Sequence, residues 1–220
     1  MNAFHSNVKA GNLEAIRAAL AENPALLNAK SESGQDAVLL SKYYGHTAVT
    51  EYLLSLEPEL DIFTAAAVGR QELVSQRLSR DPALISTYST DGWRLLHLAA
   101  FFGHKELAAG LISQGAEVDA RSTNAMKNTA LHAAAAGRKA DLVDLLLRGG
   151  ADPNARQEGG WTALHAAAQN GDREIVELLL AHGADSKNRA DNNQSPLDFA
   201  LMKGHHGIAE LLSELSGEAQ

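Results

Sequence analysis

A chain of 220 residues that is 45% hydrophobic but holds only 11 aromatic residues draws its apolar content mainly from Ala and Leu, both strong helix formers. Its formal charge of −8 repels a phosphate backbone, so a nucleic-acid partner is not expected. The absence of cysteine excludes disulfides, thiol nucleophiles and cysteine-type zinc sites. The opening residues, MNAFHSNVKAG, lack a long apolar core and no run of about 18 apolar residues follows, so the expectation is a helical cytoplasmic protein with no membrane partner.

Taken in chain order, the sequence reads as successive helical pairs. Laid on itself at an offset of 58, the first hundred residues match: ENPALL at 22 to 27 meets RDPALI at 80 to 85, Gly34 meets Gly92, and KYYGH at 42 to 46 meets AFFGH at 100 to 104. Each half of this unit predicts two helices, and the first half carries a longer connection through Pro24 or Pro82. From residue 95 onward the self-similarity tightens, with LLHLAAFFGHKELAAGLISQGAEVDA, ALHAAAAGRKADLVDLLLRGGADPNA and ALHAAAQNGDREIVELLLAHGADSKN in register. The matching histidines His97, His132 and His165 are spaced by 35 and 33 residues, and the next slot holds Asp198. Repeats are therefore expected to start near residues 2, 32, 60, 91, 122, 158 and 191. In the first three the histidine slot holds His5, Leu39 and Phe63.

The signals for helix ends agree with this division. Thr129, Thr162 and Ser195 supply N-cap hydroxyls, and Pro196 follows its cap where no backbone donor is needed. Gly45, Gly69, Gly103, Gly171 and Gly204 stand after first helices, and Gly115, Gly150 and Gly183 after second ones, where a left-handed cap is wanted. Runs of Ala at 99–100, 133–136 and 166–168 permit close helix approach. Leu107, Leu111 and Ile112, like Leu142, Leu145 and Leu146, form stripes that one pair cannot bury by itself. Stacking buries them, and the final helix at 208 to 215 runs into the polar tail SGEAQ as an end cap.

The openings Thr129-Ala130-Leu131-His132, Thr162-Ala163-Leu164-His165 and Ser195-Pro196-Leu197-Asp198 resemble the T-P-L-H motif of ankyrin repeats, and the resemblance covers essentially the whole chain. It implies an all-α helical solenoid with short β-turn or hairpin connections, forming one domain over residues 1–220. It also implies a structural role for His132 and His165, bonded to the capping threonine and to backbone of the adjoining turn. At His97 the threonine is replaced by Arg94, which removes that partner.

Catalysis and metal binding find little support. Equivalent histidines of successive repeats stand about 8 to 10 Å apart, too far to share a metal with bonds of about 2 Å. His205, His206 and Asp198 form the one remaining local cluster, and adjacent helical residues diverge by about 100°. Neither a G-x-S-x-G elbow, a phosphate-binding G-x-x-x-x-G-K-[ST] loop nor an H-E-x-x-H helix occurs, so no active site and no cofactor are expected.

The resemblance implies instead a protein-binding module, acting through the concave face and turn tips. Those positions carry Trp93 and Trp161 at the turns, and Tyr43, Tyr44, Phe101 and Phe102 at first-helix ends, as partner-binding residues; the alternative is that one of each pair, Tyr44 and Phe102, packs against the next repeat. Residues 1–61 hold 4 basic and 8 acidic side chains, residues 62–156 hold 11 and 9, and residues 157–220 hold 4 and 10. Arg94, Arg121, Lys127 and Arg138 lie in the relatively basic middle, so Arg94 and Lys127 join the partner-binding set. Two extra residues are expected in the turn from Ser122 to Asn128. A monomer binding a protein partner is the expectation. The alternatives are a small-molecule sensor with a pocket at Trp93 and Phe101, or a metal-dependent enzyme using His205, His206 and Asp198.

Overall fold

The computed structural model describes residues 3–216. Asn2, at the expected start of the first repeat, and residues 217–220 of the expected tail cap lie outside the described residues. The described chain is helical, with no strand, and its helices fall into antiparallel pairs. These are α1 (Ala3–Ala10) with α2 (Leu13–Glu22), α3 (Ala37–Tyr43) with α4 (Thr47–Ser55), α5 (Ile62–Ala67) with α6 (Gln71–Arg80), and α7 (Leu95–Phe102) with α8 (Lys105–Ser113). There follow α9 (Ala130–Ala136) with α10 (Ala140–Arg148), α11 (Ala163–Asn170) with α12 (Arg173–Ala181), and α13 (Pro196–Met202) with α14 (His206–Ser216). Single 3₁₀ turns at Pro24–Asn28 and Pro82–Ser86 occupy the two long proline connections.

First helices stack on first helices from α5 to α13, and second on second from α8 to α14, so each pair meets mainly its neighbours. The small side chains make this possible. Ala99, Ala100, Ala133, Ala134, Ala135, Ala167 and Ala168 are fully buried between first helices, while Leu107, Leu111, Leu142, Leu146, Ile175 and Leu179 fill the space beneath the second ones. Buried apolar residues of the first two pairs, from Phe4 to Leu53, form one cluster, and a second runs from Leu39 through Leu212.

The expected caps Thr129, Thr162 and Ser195 are present, each in a reciprocal capping box. Asp36 and Asp61, not singled out in the sequence, also act as caps, their carboxylates accepting the backbone N–H of Leu39 and Thr64. Thr64, not Phe63, therefore occupies the histidine slot of the third pair. Asp61 caps α5 with a carboxylate, and counting three residues on from that cap shifts the slot by one. Lys30 ties these divergent pairs together, standing 3.2 Å from Asp36 and 2.7 Å from Asp61, and the Thr64 hydroxyl donates to Asp36. Pairs two and three thus hold their first helices with carboxylates where pairs four to six use imidazoles and the seventh again uses a carboxylate, Asp198.

The connections project as turns rather than a β ladder, their bases closed by Ser31 N–H to Gln35, Ser89 to Trp93, Ser122 to Asn128, Gln157 to Trp161 and Ala190 to Gln194, with a second backbone bond inside each, such as Gly34 N–H to Ser31 and Gly92 to Ser89. The Ser122 turn is two residues longer than the others, as its spacing predicts. Neighbouring turns are joined edge to edge, Thr123 donating to Gly92, Glu158 to Met126 and Asp191 to Gly159. The third pair differs. Its connection comprises residues 56–61 alone, against 23–36 before it and 81–94 after it, so it has no projecting turn. The turns of the second and fourth pairs consequently meet, with Gln35 donating to Asp91 at 3.2 Å.

Candidate protein-binding face

The histidines belong to the framework of this face. His132 Nδ1 accepts the Thr129 N–H at 3.3 Å and lies 2.9 Å from the Thr129 hydroxyl, so the ring proton is on Nε2, which donates to the Trp161 carbonyl at 3.2 Å. His165 repeats the arrangement with Thr162 and the Gln194 carbonyl. His97 keeps the forward bond to Asn128 at 3.0 Å, but its Nδ1 has no partner, and neither does the buried Nε of Arg94, which stands where the fifth and sixth pairs have threonine. His5 also fills the slot, buried and bonded to Ala29. Burial lowers the pKa of His97, His132 and His165 to about 4, so all three are neutral at physiological pH.

A second series runs the other way. His46, His104 and His205 each donate Nε2–H back to the end of an earlier first helix, at Lys9, Ala67 and Gln169. Each ring lies against a glycine of that helix end: a Cβ on Gly69 would sit 2.5 Å from His104, and one on Gly171 would sit 2.6 Å from His205. His205 is therefore committed to a backbone carbonyl, and Asp198 accepts from the Ser195 N–H and hydroxyl, while His206 is exposed at the start of α14. The structure does not bring His205, His206 and Asp198 together as a metal site. Among the described residues no group of three or more His, Asp or Glu is placed to hold an ion.

Four of the aromatics form one connected cluster. Tyr43 reaches over the short third pair to Trp93 and Phe102, with ring centroids 6.2 and 5.6 Å apart, and Phe101 meets Trp93 at 5.4 Å and Phe102 at 5.1 Å. All four are half-buried and pack on the larger core cluster. Of the alternative in which Tyr44 and Phe102 pack inward, the tyrosine is reversed: Tyr43 turns inward and Tyr44 is 52% exposed, while Phe102 packs against the core. The Tyr43 hydroxyl has no partner of good geometry; burial, and then the nearby Asp91 carboxylate, push its pKa up. Edge-on ring packing fills the space around Trp93 and Phe101.

Trp161 sits apart from this cluster. It is half-buried, its ring 4.4 Å from Phe199 and 5.9 Å from His165. Beside it runs an open groove of about 320 Å³ lined by Met126, Ala136, Gln157, Glu158, Ala166 and Asn170, between the turn tips and first helices of the fifth and sixth pairs. Met126, in the lengthened turn, is 50% exposed. Its signal in the sequence was the 35-residue spacing, although the methionine itself was not singled out.

The charged candidates are engaged within the chain. Arg94 is turned inward, its side chain 16% exposed, stacked 4.7 Å from the Tyr88 ring and paired with Glu117 at 2.9 Å. Lys127 pairs with Glu158 at 2.9 Å across the groove rim, and Arg138 with Asp172 at 2.7 Å. The exposed Lys127 pair remains open to exchange with a partner, since such a surface pair contributes only about 0 to 1 kcal/mol.

A stack of capped helical pairs with projecting turns and a half-exposed inner face defines a helical repeat protein. The family model described as ankyrin repeats (3 copies) matches residues 62–157 and 131–219, and the chain belongs to the ankyrin repeat family. Ankyrin repeats generally mediate protein–protein interaction, and the family is typically non-enzymatic. The chain is similar to the ankyrin repeat and SAM domain-containing protein 6 of Mus musculus, 42% identical over 102 residues, which is 46% of this chain and 11% of that protein. It is similar to the NF-kappa-B inhibitor cactus of Drosophila yakuba, 38% identical over 73 residues, 33% of this chain and 15% of that one. A longer match of 151 residues, 28% identical, joins 65% of the chain to 25% of an L-asparaginase of Dirofilaria immitis. The chain thus spans no more than a quarter of the length of each of these relatives. No helix among the described residues is long and apolar enough to cross a membrane.

Proposed function

We propose that the chain is a single unit of seven ankyrin repeats that binds a protein partner through its concave face and turn tips, with no reaction or cofactor of its own. The observation that carries this reading is the groove between the fifth and sixth pairs, where Met126 and the half-exposed Trp161 offer apolar surface over a floor of Ala136 and Ala166. Aromatic and methionine side chains with small neighbours are the composition of interface cores. The groove is built on helices and turns already fixed by the histidine series, so little ordering opposes association. Phe101, Phe102, Trp93 and Tyr43 contribute the edges they leave exposed, and Tyr44 and Lys127 stand at the margin. The similarity to an inhibitor of NF-kappa-B supports a protein as the ligand class.

Met126→Glu and Ala136→Glu, made together, place two carboxylates in the groove without touching the core. Affinity capture with wild-type chain as bait returns specific partners, and the double variant, with unchanged helical signal and melting, loses them. The same set of proteins retained by the variant would refute this assignment of the face.

A further inference from the structure

At the ends of the first helices, away from the turns, three elements converge on one spot. Lys42, in the last turn of α3, holds its Nζ 4.8 Å from the centroid of Phe102, at the end of α7. Lys139, just before α10, lays its stem on the next residue, Gly103: a Cβ there would lie 3.1 Å from the lysine Cε and 3.6 Å from Nζ. Because residue 103 has no side chain, the second ammonium comes down beside the first across the exposed end of α7. His104 follows, its Nε2 committed to Ala67.

Neither lysine has a carboxylate partner among the described residues, whereas Arg94, Lys127, Arg138, Arg148, Arg156 and Arg173 are each paired with one. Burial, and then repulsion from Lys139, lower the Lys42 pKa. Burial also lowers that of His104, and both lysines add to the effect, with Glu106 the one acidic group acting against them. Like charges brought together over an aromatic ring without a counterion raise the energy of the free protein, and an anion reverses the sign of that interaction.

We infer that the ridge formed by Lys42, Phe102, Gly103 and Lys139 receives an acidic segment of a protein partner, its carboxylates on the two ammoniums and an apolar neighbour on the Phe102 edge. A nucleic acid fits the ridge less well, because it needs many phosphates neutralised and meets a chain of net charge −8. A short acidic segment needs only these two cations. The inference rests on the protein-binding reading and names the chemistry of the partner, yet it stands on residues separate from the Trp161 groove.

The test uses the full chain and two labelled hexapeptides, Phe-Glu-Glu-Phe-Glu-Glu and its counterpart with every Glu replaced by Gln, followed by fluorescence anisotropy at 50 and 300 mM NaCl. The acidic peptide is expected to bind at least about tenfold more tightly than the Gln peptide and to weaken at the higher salt. Binding is expected to fall at least about tenfold in Lys42→Gln/Lys139→Gln, whose melting temperature stays level or rises as the repulsion is removed. Lys42→Arg/Lys139→Arg retains it. Equal binding of the two peptides, no binding, full binding by the Gln double variant, or tighter binding of a 20-base-pair DNA duplex at the same lysines each overturns the inference. Those results leave the Met126→Glu/Ala136→Glu capture experiment to decide the broader reading separately.

Discussion

Lowering the pH should unfold this protein through its buried histidines. His97, His132 and His165 are 1%, 3% and 0% exposed and hold folded-state pKa values of about 4 against an ordinary 6.5. Because the folded values are depressed, the unfolded chain takes up protons first; the stabilisation is complete above about pH 6.5 and is lost as the pH falls toward 4. Between pH 7 and 5 linkage gives a loss of about 2 kcal/mol per histidine, or about 6 kcal/mol for the three, a large share of the 5 to 15 kcal/mol typical of a folded domain. Asp61 and Asp198 have pKa values lowered from the ordinary 3.8, so their stabilisation disappears only at still lower pH and does not blur the window. Urea unfolding followed by circular dichroism at pH 7.5, 6 and 5, with calorimetry in buffers of different ionisation enthalpy, measures both the loss and an uptake of about three protons on unfolding near pH 5, to which His104, whose pKa burial also lowers, adds its share. His132→Gln should remove up to about a third of the slope, with His104 contributing to the remainder. A stability that is flat from pH 7 to 5, or a slope unchanged in that variant, refutes the neutral-imidazole account.

Two further substitutions probe the frame. Arg94→Thr returns to His97 the hydroxyl that His132 and His165 possess and removes the orphaned guanidinium Nε, so it should raise stability by about 1 kcal/mol despite losing the Glu117 pair; a lower denaturation midpoint would count against it. Gly69→Ala combines a left-handed backbone, φ +71, with a Cβ 2.5 Å from the His104 ring, while Gly183→Ala meets open space at φ +89. The first should therefore cost distinctly more than the roughly 1 to 2 kcal/mol of left-handed strain expected for the second, and equal losses in thermal unfolding would show that the histidine contact contributes nothing.

The helical pairs and their caps were legible in the sequence because they depend on local chemistry at fixed spacing. Thr129, Thr162 and Ser195, the histidines three residues after the threonines, and the two-residue excess between 122 and 128 all appear where the pattern puts them. What escaped depends on contacts across the stack. The pattern KYYGH and AFFGH marked a boundary, but only the placement of Gly11 and Gly69 makes His46 and His104 into struts between helix ends. Which tyrosine of the pair turns inward was not legible, because the shortened third connection opens the side on which Tyr43, rather than Tyr44, finds Trp93 and Phe102. Arg94 and Arg138 read as free cations in a basic segment, yet their partners Glu117 and Asp172 lie 23 and 34 residues away. Of the face itself, the turn tryptophans were visible; the exposed Met126 and the unpaired lysines were not, since a lone methionine or lysine carries no periodic signal.

The missing turn of the third pair also changes how the stack comes apart. In a solenoid whose members touch only their immediate neighbours, unfolding can begin at either end and travel inward one member at a time. Here Gln35 grips Asp91 and Tyr43 grips Trp93 and Phe102 over the head of α5, so the second, third and fourth pairs are bolted into one block with a coupling that skips a place. Fraying that arrives from either terminus should meet added resistance at that block, and its amides should exchange more nearly together than those of pairs coupled only to their neighbours.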